Sequence, residues 1–361
     1  MQITTTKEVL ESAAFAAYRA VNPKNPLVIM SGVLLTAKGD QLTITGSDVE
    51  VTITSTIPVE VIDEGSVVLP GRYFYELVRR LPEGPVSIET FKKEAKIKYG
   101  KQQASSSVLP VDEYPAIPKV EGRVVEVDAA EMISSVKKVY FVCLDDPVRP
   151  TLSGVYFNAT PFGIEIVSTD LYRINWAYVQ AEGEEGQAIV SKRGLEEMIK
   201  VFRSGKLLIT FGSNLVSFAN ESTKIVVRLI EGKYPNIASS IPTHNAKMRV
   251  SRDELLETLN RAVLLTDKNN FSTVDITAKD KTLIVEACSE TGTLCEEIRI
   301  EEYEGKPIEV FFNTRYLIDS LSVCSNPTLV FAGPMNCVKI EDNNFYSLVL
   351  PVTKKRSEVA A

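Results

Sequence analysis

Ser31-Gly32-Val33 recurs as Ser153-Gly154-Val155, 122 residues later, and a third version, Thr273-Val274-Asp275, stands 120 residues further on. Each opens a stretch of strand character about twenty residues after a helical pattern begins. Three more markers follow in the same order. An acidic turn, Thr45-Gly46-Ser47-Asp48, matches Val167-Ser168-Thr169-Asp170 and then Glu290 of Ala287-Cys288-Ser289-Glu290. A second helix opens with Arg72, Arg193 and Arg315 in turn. A closing strand ends Val108-Leu109-Pro110, Arg228-Leu229-Ile230 and Val349-Leu350-Pro351. Four markers in one order across three copies define a repeat of roughly 121 residues. That is far longer than the roughly 20–50-residue period of a solenoid and is the size of a whole domain, so each copy is expected to carry its own core.

The second copy shows the order inside a unit. Met132, Ile133, Val136, Val139 and Tyr140 recur at helical spacing. Strands are expected over Leu152 to Phe157, Ile164 to Ser168 and Arg173 to Val179, separated by turns at Gly163 and Thr169-Asp170. A second helix runs from about Lys192 to Phe202 and stops before Ser204-Gly205, where glycine accepts the left-handed conformation that ends many helices. Strands over 207–211, 215–219 and 225–229 complete the unit. Two helices on antiparallel sheet make an α+β layer. Runs rich in proline and small or polar residues, 115–122 and 235–246, mark the boundaries. The expected domains are 1–120, 121–244 and 245–361.

Composition narrows the function classes. With 44% hydrophobic and 24% charged residues the chain has apolar material for several cores. No apolar run approaches the roughly 20 residues of a membrane-spanning helix, and Met1–Glu8 has no signal-peptide pattern. The odd set of cysteines, Cys143, Cys288, Cys295, Cys324 and Cys337, contains no C-x-x-C pair and suits reduced thiols in the cytoplasm. The single histidine, His244, cannot build a histidine metal site and falls in a linker. There is no phosphate loop, no G-x-S-x-G and no metal cluster. Turn chemistry accounts for Asp145-Asp146, so no catalytic residue, cofactor or metal is expected.

The formal charge is −7, yet the charge is unevenly placed. The six helical slots (7–24, 70–80, 128–143, 191–206, 251–264 and 313–324) hold 16 Lys and Arg against 11 Asp and Glu. Positive helices in an acidic chain point to a polyanionic partner. The slot at 191–206 is the strongest, with Lys192, Arg193, Lys200, Arg203 and Lys206.

Ser31-Gly32-Val33-Leu34-Leu35, Arg149-Pro150-Thr151-Leu152-Ser153-Gly154-Val155, Ser168-Thr169-Asp170-Leu171-Tyr172-Arg173 and Leu229-Ile230-Glu231-Gly232-Lys233-Tyr234-Pro235 stand in the order and spacing of one family. By these motifs, over residues 1 to about 352, the chain resembles the beta subunit of bacterial replicative DNA polymerase, the beta sliding clamps. The resemblance implies three tandem clamp domains. Two chains would join head to tail, first domain against third, in a closed homodimeric ring around duplex DNA. Helices would line the hole, and phosphate-facing cations would attract the duplex without reading bases. By position it carries DNA contact onto Lys24 and Arg149, and the helical charge adds Arg72, Arg79, Lys137, Lys192, Arg193, Lys200 and Arg203 as candidates. It carries the ring closure onto Ala104, Leu264 and Leu265. The family's pocket between the second and third domains captures short, partly apolar peptides of polymerases, the clamp loader and repair proteins. Its matching residues are Leu152, Thr169, Leu171, Tyr172, Arg173, Ile174, Pro235, Leu348, Leu350 and Pro351.

Two departures stand out. The family commonly has Gly-His where this chain has Leu171-Tyr172, and leucine is expected to resist the positive φ that glycine allows. A tail, 353–361, also extends beyond the usual end. Both raise the hypothesis of altered partner choice, as in a clamp paralogue serving repair or a mobile element. It is tested by comparing a generic clamp-binding peptide on the full chain and on a chain ending at Val352. The rival readings are an enzyme and a triplicated interaction scaffold that never encircles DNA.

Overall fold

The computed structural model of the protein describes residues 1–23, 25–237, 241, 246–265, 273–279, 281–333 and 335–352. Lys24, His244 and the tail 353–361 lie outside the described residues. Among the described residues the six α-helices are α1 (Lys7–Arg19), α2 (Gly71–Arg80), α3 (Ala129–Val139), α4 (Lys192–Val201), α5 (Arg252–Ala262) and α6 (Thr314–Ser322). They come in pairs, one pair to each repeat, separated by antiparallel strands, as the α+β reading requires.

Local chemistry sets the helix ends. Ser191 caps α4 by accepting from Gly194 N–H at 3.2 Å, Ser251 caps α5 by accepting from Glu254 N–H at 3.4 Å, and Asn313 accepts from Arg315 N–H at 3.0 Å. At their C-terminal ends these helices, closing at Val201, Ala262 and Ser322, stop short of the sequence slots. Arg203 stands in the turn after α4, and Lys206 opens the strand Lys206–Phe211, where it pairs with Glu126 at 2.6 Å. The basic excess therefore belongs partly to the turns that follow helices. In α1 the buried face is almost all alanine (Ala13, Ala14, Ala16 and Ala17, with Leu10), which lets the sheet approach closely. A Cβ on Gly46 would lie 1.9 Å from the Ala17 carbonyl oxygen. At the matching place in the second repeat, Ser168 donates its hydroxyl to the Val139 carbonyl at 2.5 Å. The same close approach is met once by glycine and once by a hydrogen bond.

The chain divides into two compact units. The first takes in Met1–Ile133, Asn158–Gly163 and Gln180–Glu231. One of its sheets is ordered 60–63, 2–6, 85–90, 94–99, 102–107. The other runs 182–183, 123–128, 206–211, 215–219, 223–228, 51–58, 41–47, 32–38, 65–70. The second sheet crosses from one repeat to the next through the antiparallel pairing of 223–228 with 51–58, Ser55 opposite Thr223 and Ile53 opposite Ile225. Ile53 and Ile225 are fully buried. Two ion pairs brace this joint: Arg19 holds Glu197 at 2.5 and 2.9 Å, and Arg193 pairs with the buried Asp48.

The second unit takes in Ser134–Phe157, Ile164–Val179 and 232 onward. Its joint pairs Arg173–Ala177 with Phe345–Val349, Asn175 opposite Ser347. Strands 338–342, 328–331 and 246–250 continue that sheet, followed by 292–305, 282–289, 273–279 and 308–313. Among the described residues no helix is long and apolar enough to cross a membrane.

The ladder corrects the repeat register in the third copy. Isolated bridges join Val68 to Leu109, Val190 to Leu229 and Phe312 to Pro351. Pro351, not Leu350, is therefore the counterpart of Leu229. Likewise Ser289 pairs with Gly292 across a two-residue turn, so Ser289 holds the place of Asp170 and Glu290 stands one residue late. From the second copy to the third the offset is 119 residues at the acidic turn, one fewer than the sequence markers imply, and 122 at the closing strand, one more. An apolar pair or an acid displaced by one residue looks the same in sequence but changes face in a strand.

Candidate partner pocket and basic helix ends

The turn 169–173 is the centre of the candidate pocket in the second unit. Asp170 Oδ1 accepts from the N–H groups of Tyr172 and Arg173, both at 3.0 Å. Thr169 Oγ1 accepts from Leu171 N–H at 3.0 Å and donates to the Arg173 carbonyl at 2.8 Å. These bonds hold Leu171 at φ 75°, the left-handed region that leucine was expected to resist. Side-chain hydrogen bonds from both neighbours outweigh the steric cost. Val49, after Asp48 in the first repeat, has φ 81° for the same reason, with Asp48 Oδ1 accepting from Val51 N–H at 2.9 Å.

Arg173 is buried and fully engaged. Its Nε donates to Asp170 at 3.0 Å and its Nη1 to Asp319 of α6 at 2.6 Å. Its guanidinium lies 4.4 Å from the Tyr316 ring centre and 5.7 Å from that of Phe141. A planar cation that stacks and binds two carboxylates has no lysine equivalent. Tyr172 stacks on the other neighbour of this cluster, Tyr316, at 6.4 Å between ring centres. Burial, and then the charge of Asp170, push the Tyr316 hydroxyl above its ordinary range.

Around this anchor the rim is apolar and open. Leu171, Tyr172 and Leu350 are 44%, 55% and 46% exposed, large values for side chains of this kind. Leu350 N–H donates to the Tyr172 carbonyl at 2.9 Å, which ties the two sides of the rim together. Leu152, Thr169 and Leu348 are buried beneath. Pro351 is half-buried against the strand holding Phe312, and Pro235 is exposed next to Tyr234, whose hydroxyl donates to the Val167 carbonyl at 3.4 Å. Ile174 and its partner Leu348 lie on the sheet face opposite to Arg173, because successive strand residues alternate. Tyr316, Asp319 and Phe141 were not anticipated. One signal pointed to Asp319: it follows Arg315 by four residues, as Glu197 follows Arg193, and both acids hold an arginine of the preceding repeat.

The basic positions divide by environment. Arg72, Lys137, Lys200 and Arg203 are exposed. Arg79 is exposed but pairs with Glu76 at 3.0 Å, and Arg149 with Asp146 at 2.8 Å. Lys192 is half-buried, and Arg193 is shared with Asp48. Ala104 lies half-buried on the sheet-edge strand 102–107, whereas Leu264 is 79% exposed and Leu265 half-buried in the turn after α5.

Three family models match in tandem: the DNA polymerase III beta subunit N-terminal domain over residues 1–118, its central domain over 126–236 and its C-terminal domain over 239–353. Beta sliding clamps of Staphylococcus epidermidis and Staphylococcus aureus are 26% identical over 98% of this chain and 99% of their own. The DNA polymerase sliding clamp of Bacillus subtilis, a solved structure, is 25% identical with a TM-score of 0.93, over 98% of this chain and 99% of that one. A putative DNA polymerase III beta subunit from Eubacterium rectale, also 25% identical, has a TM-score of 0.91 over the same shares.

Proposed function

This chain belongs to the DNA polymerase III beta subunit family, and we propose from that premise that it is a non-catalytic sliding clamp, a processivity factor for a DNA polymerase. Two copies join head to tail into a ring that encloses duplex DNA. The observation that carries this reading is the tandem match of all three domains over nearly the whole chain.

The geometry supports each part of the mechanism. A topological link must hold DNA without gripping a sequence, so its cations act as an unspecific attraction to phosphate. Lys200 and Arg203 at the end of α4, with Arg72 and Lys137, are exposed and suited to that role, and Lys24 and Arg149 join them by family position. Arg79, Lys192 and Arg193 are partly committed to protein contacts and contribute less. The pocket around Arg173 has the chemistry of a peptide site: an open apolar rim over a rigid, hydrogen-bonded base. It tethers the polymerase, the clamp loader and repair proteins through short apolar segments, and the molecule works in the cytoplasm.

The test is loading on a nicked circular duplex by a clamp loader. Retention on the circle, followed by release when the circle is cut once, is the expected result. Retention after linearisation would refute the ring. A triplicated scaffold would show neither retention nor release.

A further inference from the structure

The strands and loops carry the acidic excess of this chain, with one exception. Lys92, Lys93, Lys96, Lys98 and Lys101 fall within ten residues, and no other ten-residue stretch holds as many Lys and Arg. They belong to the hairpin of 85–90 with 94–99 and to the turn that leads from it into 102–107. Strand alternation sorts this sheet into two faces. Ile88, Ala95 and Ile97 are buried in the same core as Leu10 of α1 and Phe74 of α2. Lys96 and Lys98 therefore project from the opposite face, away from both helices. Lys96 lies between Glu89 and Ser105, and Lys98 between Ser87 and Gln103. Charge is sorted across the sheet as well: Glu60, Asp63 and Glu64 stand at its far edge, in or beside strand 60–63, and the lysines toward the other edge.

The tip of the hairpin adds an apolar ring. Phe91 is 44% exposed. Its N–H donates to the Glu94 carbonyl at 2.8 Å and Thr90 N–H donates to the Met1 carbonyl at 3.0 Å, so the turn is held from both sides. The Lys96 ammonium lies 4.9 Å from the Phe91 ring centre. Lys92 and Lys93 are exposed in the same turn. Two acids share the lysine face: Glu89 pairs with Lys98 at 2.9 Å and Glu94 with Lys96 at 3.6 Å. Exposed pairs of this kind are weak, so an external anion can take over their ammonium groups. Lys96 and Lys98 stand two residues apart on one strand, about 6.7 Å, which is the rise of two nucleotides at roughly 3.4 Å each.

We propose that this hairpin is a separate nucleic-acid surface that takes a single strand: its lysines follow the phosphates and Phe91 stacks an unpaired base. Ring and cations together select this partner. In a duplex the bases are already stacked on one another and offer no face to Phe91. An anionic membrane calls for a broader apolar surface than one ring among Ser87, Gln103 and Ser105. The surface lies on the opposite side of its sheet from α1 and α2, so it is distinct from Arg72 on α2 and from any duplex that those helices face. It does not depend on the closure of two copies into a ring.

Fluorescence anisotropy of the full chain with dye-labelled oligo-dT of about 12 nucleotides tests it. Binding is expected to weaken with salt, with a slope of log affinity against log salt of up to about −3.5 for five lysines. Lys96→Gln combined with Lys98→Gln should flatten that slope by about 1.4. Phe91→Ala should lower affinity at least about fivefold and leave the slope as it was. Circular dichroism of each variant keeps a loss of binding separate from a loss of fold. An affinity that neither change moves overturns the proposal. So does a loss produced by Lys200→Ala with Arg203→Ala and not by the hairpin variants, which would put the strand on the helices. A Phe91→Ala effect of the same size on a blunt duplex of the same length would mean that no base is stacked, and it overturns the single-strand assignment, as would binding to phosphatidylserine vesicles with none to oligo-dT.

Discussion

At the proposed pocket Arg173 meets two carboxylates and two aromatic rings. It neutralises Asp170 and Asp319 while stacked on Tyr316. Removing it leaves Asp170, only 12% exposed, without its cation, and breaking such a pair from one side costs about 3 kcal/mol. Arg173→Ala is expected to lower stability by that amount in urea titration. Arg173→Lys should recover little, since an ammonium can neither stack flat nor fork between two carboxylates. Leu171 makes the opposite prediction. A left-handed leucine costs about 1–2 kcal/mol, and glycine costs about 0.5–1 kcal/mol in unfolded-state entropy. Leu171→Gly should therefore leave stability within about 1 kcal/mol of the parent, while affinity for an apolar clamp-binding peptide falls several-fold with the lost rim. Equal affinity in a fluorescence-polarisation titration would remove Leu171 from the site.

At the scale of elements, the helices act through their ends and their partners more than through their length. Arg19, on α1, and Glu197, on α4, are 178 residues apart, and Glu197 is 7% exposed. Arg19→Ala strands that carboxylate and is expected to cost about 3 kcal/mol, whereas replacing both by apolar residues of similar size should cost less. A double-mutant cycle separates the two. On α5, Arg261 and Thr258 hold Glu296, and the Arg261 hydrogen bond above all keeps its carboxyl below the usual range. A depressed folded value gives stability that is present above the unfolded pKa and lost as pH falls through the folded one. The second unit should thus lose stability on acidification through and below the ordinary carboxylate range, and Glu296→Gln should flatten that part of the pH profile.

For the whole molecule, the proposed hold on DNA rests on the charge distribution. Lys200, in the last turn of α4, and Arg203, just beyond it, are both exposed. If each faces a phosphate, Lys200→Ala and Arg203→Ala should each weaken binding to all sequences alike and reduce the slope of log affinity against log salt by about 1. A change that depended on base sequence would place these residues elsewhere. Arg193, tied to Asp48, should move the slope less and stability more.

The triplication was legible before any coordinate, because a duplicated domain preserves its turn chemistry, and turns are written in few residues: Ser-Gly-Val, the acid after Thr or Ser, the arginine that opens a helix. The two helices per repeat and the antiparallel sheets followed from periodicity, and the family from the order of four motifs. What tertiary structure alone decided lies at long range or within one residue. The third copy's register shifted from Leu350 to Pro351 and from Glu290 to Ser289, because only the hydrogen-bond ladder distinguishes a strand from itself slipped by one. The pocket's base of Tyr316, Phe141 and Asp319 came from two repeats brought together by sheet pairing, a contact no local window contains. Local sequence determined the repeated unit, since turns and amphipathic periods are short-range properties. Partners across the joints were decided by the fold, since a buried charge is matched in space and not along the chain.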